Sequence, residues 1–127
     1  MPDTPPIKYY SLGEKQQIFT RFVSKLIEWA YGQGFQLTFG EAWRDPRVAK
    51  LNAQSGAGIA KSLHCSRLAI DLNLFKAGKF LSNSEDHKPL GEFWKTCSTP
   101  GINCCWGGDF KSNPDGNHYS IEHNGVK

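Results

Sequence analysis

His64 and Asp71 lie seven residues apart in the stretch Ser62-Leu63-His64-Cys65-Ser66-Arg67-Leu68-Ala69-Ile70-Asp71. A second stretch, Trp106-Gly107-Gly108-Asp109-Phe110, is followed by Asp115-Gly116-Asn117-His118, a histidine with an acid three residues before it. Two imidazoles, one carboxylate and a spare acid are the components of a catalytic zinc centre. Three protein ligands hold the ion and leave a fourth position for water, and the spare carboxylate can take the water's proton. A lone histidine or aspartate is more often structural than metal-binding, so the weight falls on the combination. Asp71 adds to it, because a carboxylate inside an otherwise apolar run is costly to bury unless it is paired or bound to metal. The plain alternative is an ion pair with Arg44 or Arg67. The chemistry these residues suggest is hydrolysis.

The elements that must position them follow from hydrophobic periodicity. Leu68, Ile70, Leu72 and Leu74 alternate with Ala69, Asp71 and Asn73, which predicts a strand carrying Asp71 on its polar face. The same period over 118–123 groups His118, Ser120 and Glu122 against Tyr119, Ile121 and His123. With Tyr119 and Ile121 turned to the core, His118 faces the polar cleft and His123 falls at the surface or core edge. Ser11 and Glu14 form a capping box, opening a helix with a buried stripe of Ile18, Phe19, Phe22, Val23, Leu26, Ile27, Ala30 and Tyr31. Gly32 and Gly34 can end it. Further strands are expected over 35–39, over 79–81 after an Ala77-Gly78 turn, and over 104–106. A short helix from Pro46, a glycine-containing loop to Ala60, a helix over 89–97 and a turn at 113–116 complete the chain. Residues 1–10 form an extended, proline-rich arm, and His87, among polar neighbours, is expected in solvent. The order predicts an α+β fold: a small antiparallel sheet with helices packed on it and the zinc site in a cleft over the sheet. The length suits one catalytic domain over 1–127.

On these motifs the chain resembles the peptidase M15 family of zinc carboxypeptidases and endopeptidases, in its phage-type endolysin branch. Ser62, His64, Ala69 and Asp71 match the family pattern S-x-H-x-x-G-x-A-x-D, with Arg67 standing where the family has glycine. Asp115 and His118 match its second pattern, and Trp106-Gly107-Gly108-Asp109 resembles the W-G-G-D segment that precedes it in endolysins. Where the family has H-F-E, this chain has His118-Tyr119-Ser120, which leaves Glu122 as an alternative participant. Trp43-Arg44-Asp45 loosely matches an upstream arginine segment. The resemblance covers about residues 35 to 120. It implies that His64, Asp71 and His118 hold Zn2+, that Asp115 is the general base, and that Arg44 and Ser62 contact substrate. It further implies cleavage of the peptidoglycan stem peptide, between L-Ala and D-Glu first and between D-Ala and D-Ala second.

Bulk properties set the rivals. A formal charge of +3 mildly favours an anionic partner such as a cell-wall polymer, but no Lys/Arg block marks a nucleic-acid surface. No apolar run approaches the roughly 20 residues of a membrane span, so no stable membrane association is expected. Met1-Pro2-Asp3-Thr4-Pro5-Pro6 has neither a basic nor an apolar signal region. Synthesis in a host bacterial cytoplasm is expected, with action in the periplasm or wall after release by a holin-type helper, as a monomer. Cys65, Cys97, Cys104 and Cys105 contain no C-x-x-C pair and are expected as thiols. A Cys97 disulfide to Cys104 or Cys105 in an oxidising compartment, or a four-cysteine zinc site, is the sharper alternative. The competing functions are a non-catalytic wall-binding module on the same fold and a nucleic-acid-binding domain with a structural cysteine–histidine zinc.

Overall fold

The computed structural model describes residues 9–54 and 62–127. Residues 1–8 of the arm expected over 1–10, and residues 55–61 of the expected glycine-containing loop, lie outside the described residues. Helix α1 spans Leu12–Gly32. The Ser11 hydroxyl accepts from the Glu14 N–H at 3.1 Å, and the Glu14 carboxylate accepts from the Ser11 N–H at 2.9 Å. Phe19, Phe22, Val23, Leu26 and Ala30 of the predicted stripe are buried, whereas Tyr31 is exposed. Gly34, at φ +88°, turns the chain into strand β1, Phe35–Phe39.

Helix α2 (Pro46–Gln54) leaves β1 and leads towards β2, Ala69–Lys76. Ala77 and Gly78 both have positive φ, as a two-residue hairpin turn requires, and return the chain as β3, Lys79–Leu81. Helix α3 (Lys88–Thr96) and strands β4 (Cys104–Trp106) and β5 (His118–Ile121) follow. The strands form one antiparallel sheet in the order β1-β2-β5-β4, with β3 also on β2.

α1 and α3 close the core over this sheet. Leu26, Leu90 and Trp94 pack in one cluster with Leu68, Leu72, Leu74, Tyr119 and Ile121, all fully buried. The Trp94 indole N–H donates to the carbonyls of Cys105 and Ser120, at 3.0 Å each, so α3 is tied to both β4 and β5. Phe19 meets Trp94 edge-on at 5.8 Å. Truncating such a buried indole costs about 3–5 kcal/mol.

The register of β2 and β5 matters most for the site. Asp71 pairs with His118, Ile70 with Tyr119 and Ala69 with Ser120. Directly opposed residues share a face, so Asp71 and His118 meet on one side and Ile70 and Tyr119 on the other. A slip of one residue would put Tyr119 in the cleft and His118 in the core.

The expectation that His87 is solvated is corrected: it is buried, at 3 % exposure. It ends a 3-10 turn over Ser84–His87, whose neighbours Glu85 and Lys88 face outward while the imidazole faces in. Its Nδ1 lies 2.8 Å from the Tyr119 hydroxyl, so a polar sequence context conceals one inward position. Among the described residues, no helix is long and apolar enough to cross a membrane.

Candidate metal centre

His64 sits in a 3-10 turn over Leu63–Ser66 that ends just before β2. Ser62 caps it, its hydroxyl accepting from the His64 N–H at 3.2 Å. The turn closes through Arg67, whose N–H donates to the His64 carbonyl, and through Leu68, whose N–H donates to the Leu63 carbonyl. Arg67 has φ 56° and ψ 35°, the left-handed conformation that glycine adopts freely. A side chain there costs about 1–2 kcal/mol. The guanidinium lies 4.9 Å from the Trp43 ring centroid, and stacking of this kind returns about 0.5–1 kcal/mol at an exposed site. Arg67 therefore preserves the backbone shape of a glycine position.

This turn and the β2–β5 register bring three side chains together. The Asp71 Oδ1 lies 3.3 Å from His64 Nε2 and 3.5 Å from His118 Nδ1. The two rings stand 5.1 Å apart at 75°. Both histidines are buried, and Asp71 Oδ1 is buried with no hydrogen-bond partner of good geometry. Burial alone would raise the Asp71 carboxyl, but the two imidazoles outweigh it and hold it at about 2. The carboxylate is thus charged, enclosed and short of partners.

These residues fit a zinc ion. A tetrahedral ion with bonds of about 2.0–2.1 Å separates its ligand atoms by roughly 3.3 Å, close to both observed spacings. Two imidazole nitrogens and a carboxylate oxygen are the donor set of catalytic zinc, and an ion between them would supply the contact Asp71 Oδ1 lacks. Among the described residues, this is the one histidine, cysteine, aspartate and glutamate cluster with metal-binding geometry, and it contains no cysteine. All four cysteines are free thiols. Burial pushes Cys104 up to about 12 and raises Cys97 and Cys105 as well.

The segment Trp106-Gly107-Gly108-Asp109 builds the wall from which Asp115 projects. The Trp106 indole N–H donates to the Gly116 carbonyl at 2.7 Å. A Cβ on Gly108 would stand 2.2 Å from the Trp106 ring, and one on Gly107 would stand 2.1 Å from the Asp115 carbonyl and 2.8 Å from the His118 Cβ. No side chain fits at either position without moving the loop. The Gly107 carbonyl accepts from the Asp115 N–H, and the Asp115 carbonyl from the His118 N–H. Asp109 pairs with Lys95 of α3 at 2.8 Å. The motif's contribution is close approach and anchoring.

Arg44, Ser62, His64, Asp71, Asp115 and His118 all line one cavity of about 600 Å³. Every site residue expected from the sequence is therefore brought together. Burial raises the Asp115 carboxyl, the nearby Asp71 charge adds to this, and His118, His64 and Arg44 oppose it. Its basicity thus moves in the direction that suits a proton acceptor. Arg44 does not pair with Asp71: its guanidinium pairs with Glu41, and its backbone N–H donates to the His64 carbonyl. Glu122 lies elsewhere, its carboxylate accepting from Asn103, so it has no place in the cleft.

Sequence reasoning missed two neighbours. Glu41 places a carboxylate oxygen 3.8 Å from His64 Nδ1, on the ring nitrogen that faces away from Asp71. A carboxylate behind a ligand histidine fixes its orientation and raises its basicity. The available signal was the spacing Glu41-x-x-Arg44, which forms a local ion pair. Phe110, with its ring 5.6 Å from His118, carried no signal beyond its proximity to the glycines.

The sequence model of the M15 peptidase family, described as D-alanyl-D-alanine carboxypeptidase, matches residues 55–121, more than half of the chain. The chain belongs to the M15 peptidase family. Its fold is similar to that of Serratia marcescens L-Ala D-Glu endopeptidase ChiX, with a TM-score of 0.68 at 18% identity, over 84% of this chain and 79% of that one. No curated protein matches the chain significantly.

Proposed function

We propose that this chain is a zinc-dependent peptidoglycan peptidase that cuts the stem peptide between L-Ala and D-Glu. One observation carries the proposal: two imidazole nitrogens converge on a buried Asp71 oxygen without good hydrogen bonds, beside a second carboxyl of raised basicity. The likeness in fold to an L-Ala D-Glu endopeptidase supports this bond first. The family description as D-alanyl-D-alanine carboxypeptidase keeps D-Ala–D-Ala second.

His64, Asp71 and His118 would hold the zinc, with Ser62 and Glu41 fixing His64 from behind. When bound, the ion supplies Lewis acidity, which polarises the scissile carbonyl and acidifies a water molecule. Asp115 takes a proton from the attacking water as its oxygen bonds to the carbonyl carbon. The same carboxyl returns that proton to the amine nitrogen as the C–N bond breaks. Arg44 lines the cleft and offers a guanidinium for a substrate carboxylate or for the carbonyl oxygen as it gains charge. The phage-type assignment belongs to the same proposal and rests on the W-G-G-D resemblance.

Purified peptidoglycan digested with the protein and analysed by mass spectrometry tests all of this. New N-terminal D-Glu is the expected product. Loss of terminal D-Ala instead would select the second bond, and unchanged muropeptides would remove the peptidase reading in favour of a wall-binding module.

A further inference from the structure

Asp115 lines a second cavity, of about 270 Å³, as well as the metal cleft. Its other walls include Asn73, Phe80, Leu81, Ser82 and Asn117. Asn73 lies two residues beyond Asp71 on the same face of β2, so this space continues the cleft along the sheet. Asn73 donates one amide hydrogen to the Thr38 hydroxyl at 3.2 Å, which leaves its side-chain carbonyl for another partner. The side chains of Asn117 and Ser82 make no hydrogen bond within the described residues. The backbone carbonyl of Asn117 accepts from the Leu72 N–H and so fixes where the amide sits. Phe80 is half-exposed at the rim and packs on Phe75 at 5.3 Å between ring centroids.

This chemistry is selective. No lysine or arginine lines the cavity and Asp115 does, so the lining favours a neutral ligand over an anion. Amides and a hydroxyl with free capacity, beside an aromatic face, suit a neutral ligand with hydroxyl and acetamido groups and an apolar ring face. That is the description of an N-acetylated pyranose, and the volume admits one such ring. Arg44, the carboxylate-binding group, lines the metal cleft and not this cavity. A stem peptide would therefore place its acidic residue towards Arg44 and its N-terminal end across Asp115. In the cell wall that end is joined through L-Ala to the lactyl group of N-acetylmuramic acid.

We propose that this cavity is a sugar subsite, seating the N-acetylmuramyl group joined to the L-Ala whose bond to D-Glu is cut. The inference rests on the L-Ala–D-Glu reading, and it makes the enzyme selective for peptides still attached to glycan. The test compares N-acetylmuramyl-L-Ala-D-Glu peptides with the same peptides lacking the sugar. The wild type is expected to favour the sugar-bearing form by roughly tenfold in kcat/KM, the worth of one or two hydrogen bonds. Phe80→Ala and Asn73→Ala, made separately, should bring the ratio towards one. Equal rates in the wild type, or a ratio unmoved in both variants, would overturn the subsite. N-acetylmuramyl-L-alanine titrated by NMR gives an independent readout, with shifts expected at the amides of Asn73, Phe80, Ser82 and Asn117. No shift there overturns the subsite whether or not the protein hydrolyses anything. Those shifts with neither peptide cut would support the subsite and count against the peptidase reading.

Discussion

His118 and Tyr119 are adjacent on β5, yet they serve two histidine clusters of opposite character. On one face His118 joins His64 about Asp71, whose Oδ1 is buried without a good hydrogen-bond partner. On the other face Tyr119 meets His87, with a hydroxyl 2.8 Å from Nδ1. Both clusters are buried, but the first surrounds a charge and the second pairs two neutral groups. Burial alone therefore says little about whether a histidine is a ligand. What separates the clusters is a carboxylate placed between imidazoles with bonding capacity left over. Asp71 is held down at about 2, whereas burial depresses His87 to about 4 and nearby Asp86 only partly opposes it.

The sharpest way to break this comparison is to exchange the roles of the histidines. His118→Ala and His64→Ala are expected to lose stoichiometric zinc and essentially all hydrolysis, because each removes one of three ligands. His87→Gln should keep one zinc per chain by metal analysis. Full zinc in either ligand variant, or loss of zinc in His87→Gln, would show that the two clusters had been assigned the wrong way round.

Asp115 stands next to the first cluster without belonging to it. Asp115→Asn is expected to retain zinc and fold, with kcat lower by about 10² to 10⁴, the contribution of a general base. Near-wild-type turnover in that variant would leave the cluster as metal-binding but remove the proposed proton acceptor.

The second cluster should declare itself in acid. Above the unfolded pKa of His87, near 6.5, both states are neutral and the folded protein keeps its full stability. As pH falls from there towards about 4, the unfolded chain takes up a proton that buried His87 refuses, so stability declines. The loss approaches roughly 3 kcal/mol and levels off below about 4. Asp71 contributes in a lower window, with stability present above 3.8 and lost as pH falls towards 2. Urea unfolding at pH 7 and pH 4.5, compared between wild type and His87→Gln, isolates the His87 contribution. An unchanged pH slope in the variant would mean that the imidazole is protonated in the fold.

The smallest effects belong to the thiols. Burial raises Cys97, Cys104 and Cys105, which keeps them as poor nucleophiles, and no cysteine belongs to the metal cluster. Serine at each of the four positions in turn should leave kcat/KM unchanged within error, with Cys104→Ser costing some stability because the site is buried. A serine variant that kept zinc and fold but lost turnover would point to a cysteine nucleophile.

The local features were legible in the sequence. The capping box at Ser11 and Glu14, the stripe of α1, the Ala77-Gly78 turn and the alternation that put Asp71 on a polar face each depend on residues a few positions apart. The six candidate site residues could also be named from the sequence, through their order in a family pattern that Arg44 matches loosely, and the structure sets all six on one cavity. What those patterns do not contain is distance between segments. The pairing of Asp71 with His118 is a choice of register between strands nearly fifty residues apart, and only the sheet makes it. The same holds for Glu41, which stands behind His64 because β1 lies beside β2, and for His87, whose polar neighbours face out while it packs on Tyr119. Gly107 and Gly108 could be read as a motif, but their reason lies in the Asp115 carbonyl and the Trp106 ring that approach them. Periodicity is a property of the chain's own geometry and can be read along it. Burial, orphaned polar atoms and close approach arise between segments, so packing alone decided them.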